Sequence, residues 1–286
     1  GESWSCNPVA IPGVTDRMWI LGTGEKEAYL QTNHGLYQNQ WSRTTNGGFT
    51  YLPYAATTMV AGNRNGNMVD DPAHGAVWQL QWAGQDTVQL VRVDGAVGLV
   101  SVSDTRLAPP LGFPWLAIQD GTLWTTAEPQ ANDGSRSVTV ASSSDQGHTW
   151  RTMPLPITPK TATLSSVAVG TGGRVAVAYY GSDTPGAPET LTGDWDFYVM
   201  ETENGFDDKP VWQERRLAGN LHHGALCVGL PVGEADDPGC RFAGDLLGIA
   251  LDLEGNVHLG YAEERDGEHL LQYVRQDPIP NSGSAP

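Results

Sequence analysis

The side chains of this sequence best suited to chemistry are carboxylates and cations set close together: Asp16 adjoins Arg17, Arg241 stands shortly before Asp245, and His222 adjoins His223. A carboxylate beside a guanidinium can act as an acid or base tuned by its neighbour, or as an ion pair that anchors a strand; for Asp16 with Arg17 the anchor is the commoner role. Asp245, next to Gly244, reads equally well as a site acid and as a cap that hydrogen-bonds a neighbouring strand. Adjacent histidines on an extended segment point to opposite sides, and no further ligand spacing accompanies them, so no metal is assigned. Asp183, Glu189, Asp194, Asp236, Asp237, Glu263 and Glu264 lie in loops that could hold Ca²⁺, the one cofactor the sequence suggests. Trp19, Trp115 and Trp195 could stack on sugar rings, although tryptophan is more often a core residue.

Such groups need a scaffold, and the composition describes one of short strands and turns. There are 35 Gly, 19 Pro and 10 Trp in 286 residues, with only 17% charged. The most informative turn is Ser143-Ser144-Asp145-Gln146-Gly147-His148-Thr149-Trp150. Ser143 and Asp145 can hydrogen-bond the backbone of a tight turn, Gly147 supplies a conformation that a Cβ resists, and Thr149 leads into the next strand. Trp150 then plugs the turn from below. Thr44, Asn46, Gly48, Thr50 and Tyr51 form a degenerate copy, and Glu201, Glu203, Gly205 and Asp207 an eroded one. Gly1 to Trp4 reads as the second half of another. The copies repeat at about 50 residues, the length of one four-stranded propeller blade, if the copy expected near Gly98 has been lost.

The motif S-x-D-x-G-x-T-W and its copies resemble the Asp box of the sialidase-like, BNR-repeat β-propeller family, secreted bacterial type. Ala243 to Ala250, Gly172 to Gly181 and Thr15 to Trp19 are similar to strand lead-ins of the same family. The resemblance implies an all-β propeller of four-stranded blades, six in a parent protein. This chain would show five blades, at about 18–54, 66–102, 114–153, 163–216 and 245–275, plus an orphan strand at 3–11. The alternative is a five-bladed ring in which that strand pairs with the last blade. Residues 1–277 then form a single domain lacking its N-terminal blade, and 278–286 a frayed tail.

In such propellers the boxes lie away from the binding mouth, so the resemblance makes Asp145 structural. Mouth loops would be 7–17, 33–39, 129–136, 181–195, 217–245 and 263–269. A sialidase also needs three arginines for the sugar carboxylate, a tyrosine nucleophile with a glutamate, and an aspartic acid/base. No R-I-P motif is present, and only Arg17 and Arg241 fall near inner-strand lead-ins; Arg174 follows a turn on the other face. The acidic loops would oppose an anionic sugar. The site candidates are therefore Asp16, Arg17, Arg241 and Asp245 for catalysis, with Trp19, Trp195 and His223 for ligand contact. The expected function is binding of a glycan or another extracellular surface ligand without a complete sialidase set. An exo-acting glycoside hydrolase and a scaffold subunit completed by another chain are the alternatives.

The formal charge of −17 and pI near 4.6 argue against nucleic-acid partners, leaving a carbohydrate or a surface protein. No apolar run is long enough to span a membrane. Cys227 and Cys240 flank a Gly-, Pro- and Asp-rich loop that a disulfide could close in an oxidising compartment, with Cys6 left over. The expected location is extracellular or at the cell surface, with the chain starting inside a motif and any signal segment upstream of it.

Overall fold

Side chains alternate between the two faces of each described strand, and several central strands bury both faces. The computed structural model describes residues 15–34, 38–58, 65–82, 87–95, 98, 100–226 and 247–278. They form five antiparallel sheets, the blades of an all-β propeller fold. Two compact units are present, Gly1–Arg106 and Leu107–Pro286.

The first unit holds two blades. Blade 1 is β1 (Thr15–Gly22), β2 (Ala28–His34), β3 (Gln38–Thr44) and β4 (Leu52–Thr58). Blade 2 is β5 (Asn65–Asp71), β6 (Ala76–Trp82), β7 (Val88–Asp94) and β8 (Val100–Asp104). Tyr29, Trp41, Met68, Val77, Val91 and Val93 form their shared core, with Trp19 packed against it.

The second unit holds three. Blade 3 is β9 (Leu116–Gln119), β10 (Thr122–Ala127), β11 (Thr139–Ser143) and β12 (Arg151–Pro154). Blade 4 is β13 (Thr161–Val169), β14 (Val175–Ser182), β15 (Asp194–Thr202) and β16 (Gln213–His223). Blade 5 has three strands among the described residues, β17 (Gly248–Leu251), β18 (Val257–Arg265) and β19 (Glu268–Gln276). The sequence places all five blades close to where they form. Five is the count among the described residues; the sixth blade belongs to the expectation for a longer parent, and the orphan strand at 3–11 lies outside the described residues.

The period of two explains how blade 4 serves two neighbours. Val175, Val177 and Tyr179 of β14 join Trp124, Val138 and Val140 in one core. Ala176, Ala178 and Tyr180 point the other way, into a core with Val257, Leu259 and Ala262 of blade 5. On β15, Tyr198 and Met200 belong to the first core and Phe197 and Val199 to the second. Each buried valine, leucine, phenylalanine or methionine among them contributes about 1.5–3 kcal/mol by leaving water, and each alanine less. None of the described helices is long and apolar enough to cross a membrane.

The turn between β11 and β12 has the hydrogen bonds its residues suggest. Thr149 donates from N–H to Asp145 Oδ1 (2.9 Å) and from its hydroxyl to Oδ2 (2.6 Å), Ser143 donates to Oδ1 (2.8 Å), and Gly147 N–H donates to Ser143 Oγ (2.8 Å). Gly147 has φ +84°, which a Cβ would strain. Trp150 packs against Leu107, Ala127 and Ala141. The β3–β4 turn repeats the pattern with Asn46 as acceptor for Thr50 N–H (3.0 Å) and Thr44 as acceptor for Gly48 N–H (3.0 Å). The eroded copy is shifted by one from the expected Glu201, Glu203, Gly205 and Asp207. Thr202 and Asn204 carry the turn, and Val211 N–H closes it on Asn204 Oδ1 (2.9 Å) after a longer excursion. Glu201 is buried and pairs with Arg174 (3.0 Å) instead. Near Gly98, the corresponding connection of blade 2 is closed by backbone, Gly98 N–H to Asp94 O (2.9 Å).

Hydrogen bonds from Thr149 hold the Asp145 carboxyl below its ordinary range, at about 2. A depressed carboxylate stabilises the fold fully above its unfolded value and loses that contribution as pH falls through the folded one. Asp145→Ala is therefore expected to lower the urea midpoint near neutrality, with the gap from the native protein closing between about pH 4 and 2. Asp145→Asn should hold its midpoint at neutrality, since asparagine does the same work at Asn46 and Asn204.

Candidate functional site

The end of each blade at which its innermost strand begins is here termed the mouth end; it also receives the connection between the second and third strands. In blades 4 and 5 this end gathers two of the four histidine–carboxylate pairs among the described residues. Strand β16 pairs with β15 to its last residues, Asp194 opposite His223 and Trp195 opposite His222, so the two histidines face opposite ways. His222 is buried, with Nδ1 at 2.6 Å from Glu264 Oε2 of β18 and Nε2 at 3.0 Å from Ala225 O. Both partners are acceptors, so the ring makes both bonds as a donor only when it carries both protons. Glu264 is partly exposed, and its Oε1 takes none of the described hydrogen bonds. His223 is exposed and meets Asp194 Oδ1 at 2.7 Å.

Below this rim, Trp195 is a pillar of the core rather than the stacking platform the sequence suggested. Its indole is fully buried, and Nε1–H donates to Gly224 O (2.8 Å). Beside it Asp196 receives Arg216 through two nitrogens (2.8 Å each) and Asn220 N–H (2.8 Å). Burial, with Asp196 nearby, pushes the Tyr198 phenol up to about 12. Glu263 accepts from Arg265 (2.6 Å) and Gln272 (2.9 Å). The 181–193 connection reaches back to blade 3, where a Cβ on Gly134 would stand 2.8 Å from Ala187 Cβ.

The mouth end of blades 3 and 4 is braced by Glu128, which no motif in the sequence singles out. It is buried just beyond β10 and receives Leu111 N–H (2.9 Å), Thr163 Oγ1–H (2.6 Å), Ser165 N–H (2.8 Å) and Ser165 Oγ–H (2.8 Å). Those donors converge because β13 bulges between Thr163 and Ser166, with Leu164 at φ +54°. Arg136 spans the same loop, donating to Pro109 O and Glu128 O (3.3 Å each).

In the first unit the mouth ends carry buried amides. Asn39 Nδ2 donates to Asn65 Oδ1 (2.7 Å) and Gln81 Oε1 (2.8 Å), Asn65 Nδ2 returns a bond to Asn39 Oδ1 (2.6 Å), and Gln79 Nε2 reaches Gln31 Oε1 (3.1 Å) and Gly66 O (2.8 Å). Trp19 is half-buried, with Nε1–H on Asn65 O (3.0 Å), which ties it to this network. The signal in the sequence is Gln and Asn at alternate positions of otherwise apolar strands, Gln79 and Gln81 above all.

Two tyrosine–glutamate pairs occur among the described residues, Tyr29 with Glu27 and Tyr179 with Glu214, and the second has its phenol inside the protein. Tyr179 is fully buried, and its hydroxyl donates to Glu214, which also accepts Thr158 N–H (3.0 Å). Burial, then Glu214, raises the phenol far above its usual range, so the pair braces β14 against β16. Several arginines are likewise committed: Arg43 to Glu27, Arg174 to Glu201, Arg216 to Asp196, Arg265 to Glu263 and Arg275 to Glu254. Asp16 and Arg17 lie on β1, with Asp16 opposite Asn33. Arg241, Asp245, Cys227 and Cys240 lie outside the described residues. Among the described residues no group of three or more His, Cys, Asp and Glu is gathered around a metal position.

No family model matches this chain, and no curated protein matches it. Several solved structures are similar in fold. A mutant of the α-L-arabinofuranosidase Arb93A from Fusarium graminearum, in complex with an iminosugar inhibitor, shares 9% identity over 92% of this chain and 81% of its own, with a TM-score of 0.54. A polysaccharide lyase of family PL25, an ulvan lyase, shares 13% over 97% and 71%, with a TM-score of 0.54. The phage phi92 endosialidase shares 9% over 95% and 53%, with a TM-score of 0.50. At such identities the likeness is one of fold, and it agrees with the five-bladed propeller.

Removing the Tyr179 hydroxyl leaves Glu214 its Thr158 donors but takes away one charge-assisted bond. Tyr179→Phe is expected to cost about 1.5–3 kcal/mol in denaturant unfolding. Glu128→Gln should cost about as much or more, since the amide sets an N–H group against donors already in place.

Proposed function

We propose that this chain is a secreted, sialidase-like propeller that binds a neutral glycan at its mouth without a complete sialidase catalytic set. The observation that carries this reading is the rim of blades 4 and 5, where Glu264 is backed by His222 and offers an open oxygen, with Asp194 and His223 exposed nearby. Carboxylates held in place by imidazoles accept hydroxyl protons well, which suits a sugar. The same charges repel a sugar carboxylate, and the net charge of −17 adds to that. Burial of the Tyr179 phenol that meets Glu214 supports binding over sialidase turnover. The three similar solved structures carry names of different carbohydrate-active chemistries, which supports a carbohydrate ligand while leaving the reaction unspecified.

A second reading is favoured by one feature of the same rim. A carboxylate tied to an imidazole is a suitable acid/base for an exo-acting glycoside hydrolase.

The test is calorimetric titration with neutral arabino- and galacto-oligosaccharides and with sialosides, in the presence and absence of Ca²⁺, beside a fluorogenic glycoside panel. Binding of a neutral glycan, weakened about tenfold in Glu264→Gln and unchanged in Tyr179→Phe, is the expected result. Preference for the sialoside would overturn the reading, and turnover abolished by Glu264→Gln would replace it with the hydrolase.

A further inference from the structure

Blade 5 carries a second chain of titratable side chains at the end opposite the mouth, where neither strand patterning nor the proposed site calls for one. Asp252 sits in the β17–β18 turn, accepting Glu254 N–H (2.9 Å) and Asn256 N–H (2.8 Å) at Oδ1. Its Oδ2 lies 2.9 Å from His258 Nε2 and accepts Asn256 Nδ2–H (2.8 Å). His258 Nδ1 in turn lies 2.7 Å from the Tyr273 hydroxyl. His258 faces Arg275 directly across the β18–β19 ladder, and Tyr273 lies two residues along on the same face, which brings the rings to 6.0 Å at 31°.

The order of protons along this chain follows from what each atom can do. A carboxylate only accepts, so Nε2 carries the hydrogen; in the neutral ring Nδ1 is then bare and accepts the phenolic proton. Bonds from His258 and then Asn256 hold the Asp252 carboxyl well below its ordinary range, which keeps it an acceptor. Glu254 and Arg275, themselves 3.2 Å apart, flank the chain with opposite charges. The phenol is open to solvent, Tyr273 being 67% exposed. Tyr179 and Tyr180, by contrast, are buried and bonded to Glu214 and to the backbone of Ala262.

We propose that Tyr273 is a nucleophilic tyrosine, an acceptor for an activated acyl donor such as a thioester or an acyl-imidazole. The phenolic oxygen attacks the acyl carbon and forms an ester bond while its proton passes to His258 Nδ1. The bond from the acyl carbon to the leaving group breaks, and that group departs with the electron pair and takes up the proton. Asp252 is a positioning residue, fixing the imidazole tautomer that leaves Nδ1 free to accept.

The experiment treats the intact protein with N-acetylimidazole and follows acetylation of each tyrosine by mass spectrometry, with the partly exposed Tyr51 as internal reference. Tyr273 is expected to react faster than Tyr51, and to slow about tenfold or more in both His258→Gln and Asp252→Asn while Tyr51 keeps its rate. Asparagine preserves the acceptor that holds the turn but can donate to Nε2, so a loss in that variant reports the tautomer rather than the fold. Equal rates for Tyr273 in the native protein and in His258→Gln, or a native Tyr273 no faster than Tyr51, would overturn the proposal.

Discussion

The second unit depends on one constraint: β14, in the middle of blade 4, has no free face. Residues 175–180 alternate Val, Ala, Val, Ala, Tyr, Tyr, and every one is fully buried, so odd positions fill the core with blade 3 and even positions the core with blade 5. The small alanines on the second side leave room for Phe197, Tyr261 and Leu259 to close in, and Phe197 and Tyr261 stack at 4.5 Å. A slip of one residue would set alanine against Trp124 and valine against Phe197, opening a void on one side and overpacking the other. Either error costs on the order of 1–3 kcal/mol per site, which pins the register of β14 without help from its turns.

That burial leaves polar groups few places to go, and those that remain act as braces between blades. The Tyr180 hydroxyl both accepts from and donates to the backbone of Ala262, tying β14 to β18 (2.9 and 3.1 Å). Glu128 ties the loop after β10 to β13, and in the first unit the amides of Asn39, Asn65 and Gln81 do similar work. Each group is satisfied in a specific geometry, and an unmade bond there would carry its full desolvation cost of about 1–3 kcal/mol. Polar braces therefore fix how neighbouring blades meet at the mouth end, where apolar packing alone would tolerate sliding.

The sequence revealed the strands because short apolar runs separated by Gly-rich turns have little alternative but to pair. It revealed the β11–β12 turn because Ser143, Asp145, Gly147 and Thr149 act within seven residues of one another. It misplaced the copy near Glu201 by one position, since Thr202 and Asn204 do their work across an excursion that no fixed spacing describes. Glu128 was invisible for a different reason. Its donors come from Leu111, Thr163 and Ser165, which are brought together only by a bulge in a strand of the next blade. Trp195 shows the same limit in reverse, since exposure at a loop junction cannot be told from burial beneath it until β16 is seen to run on to His223.

The rim and the brace also explain why one propeller can hold carboxylates in such different chemical roles. Glu128 is enclosed and Glu214 half-buried, and both are saturated by donors, so they stabilise the joints. Glu264 is held through one oxygen by an imidazole that is itself fixed by Ala225 O, which orients the carboxylate and leaves part of it facing water. Asp252 uses the same partner chemistry in the opposite direction, with the imidazole passing its orientation on to an exposed phenol. What separates Glu128 from Glu264 is thus the number of lone pairs left over after the fold has been satisfied: Glu128 takes four donors, and Glu264 one imidazole.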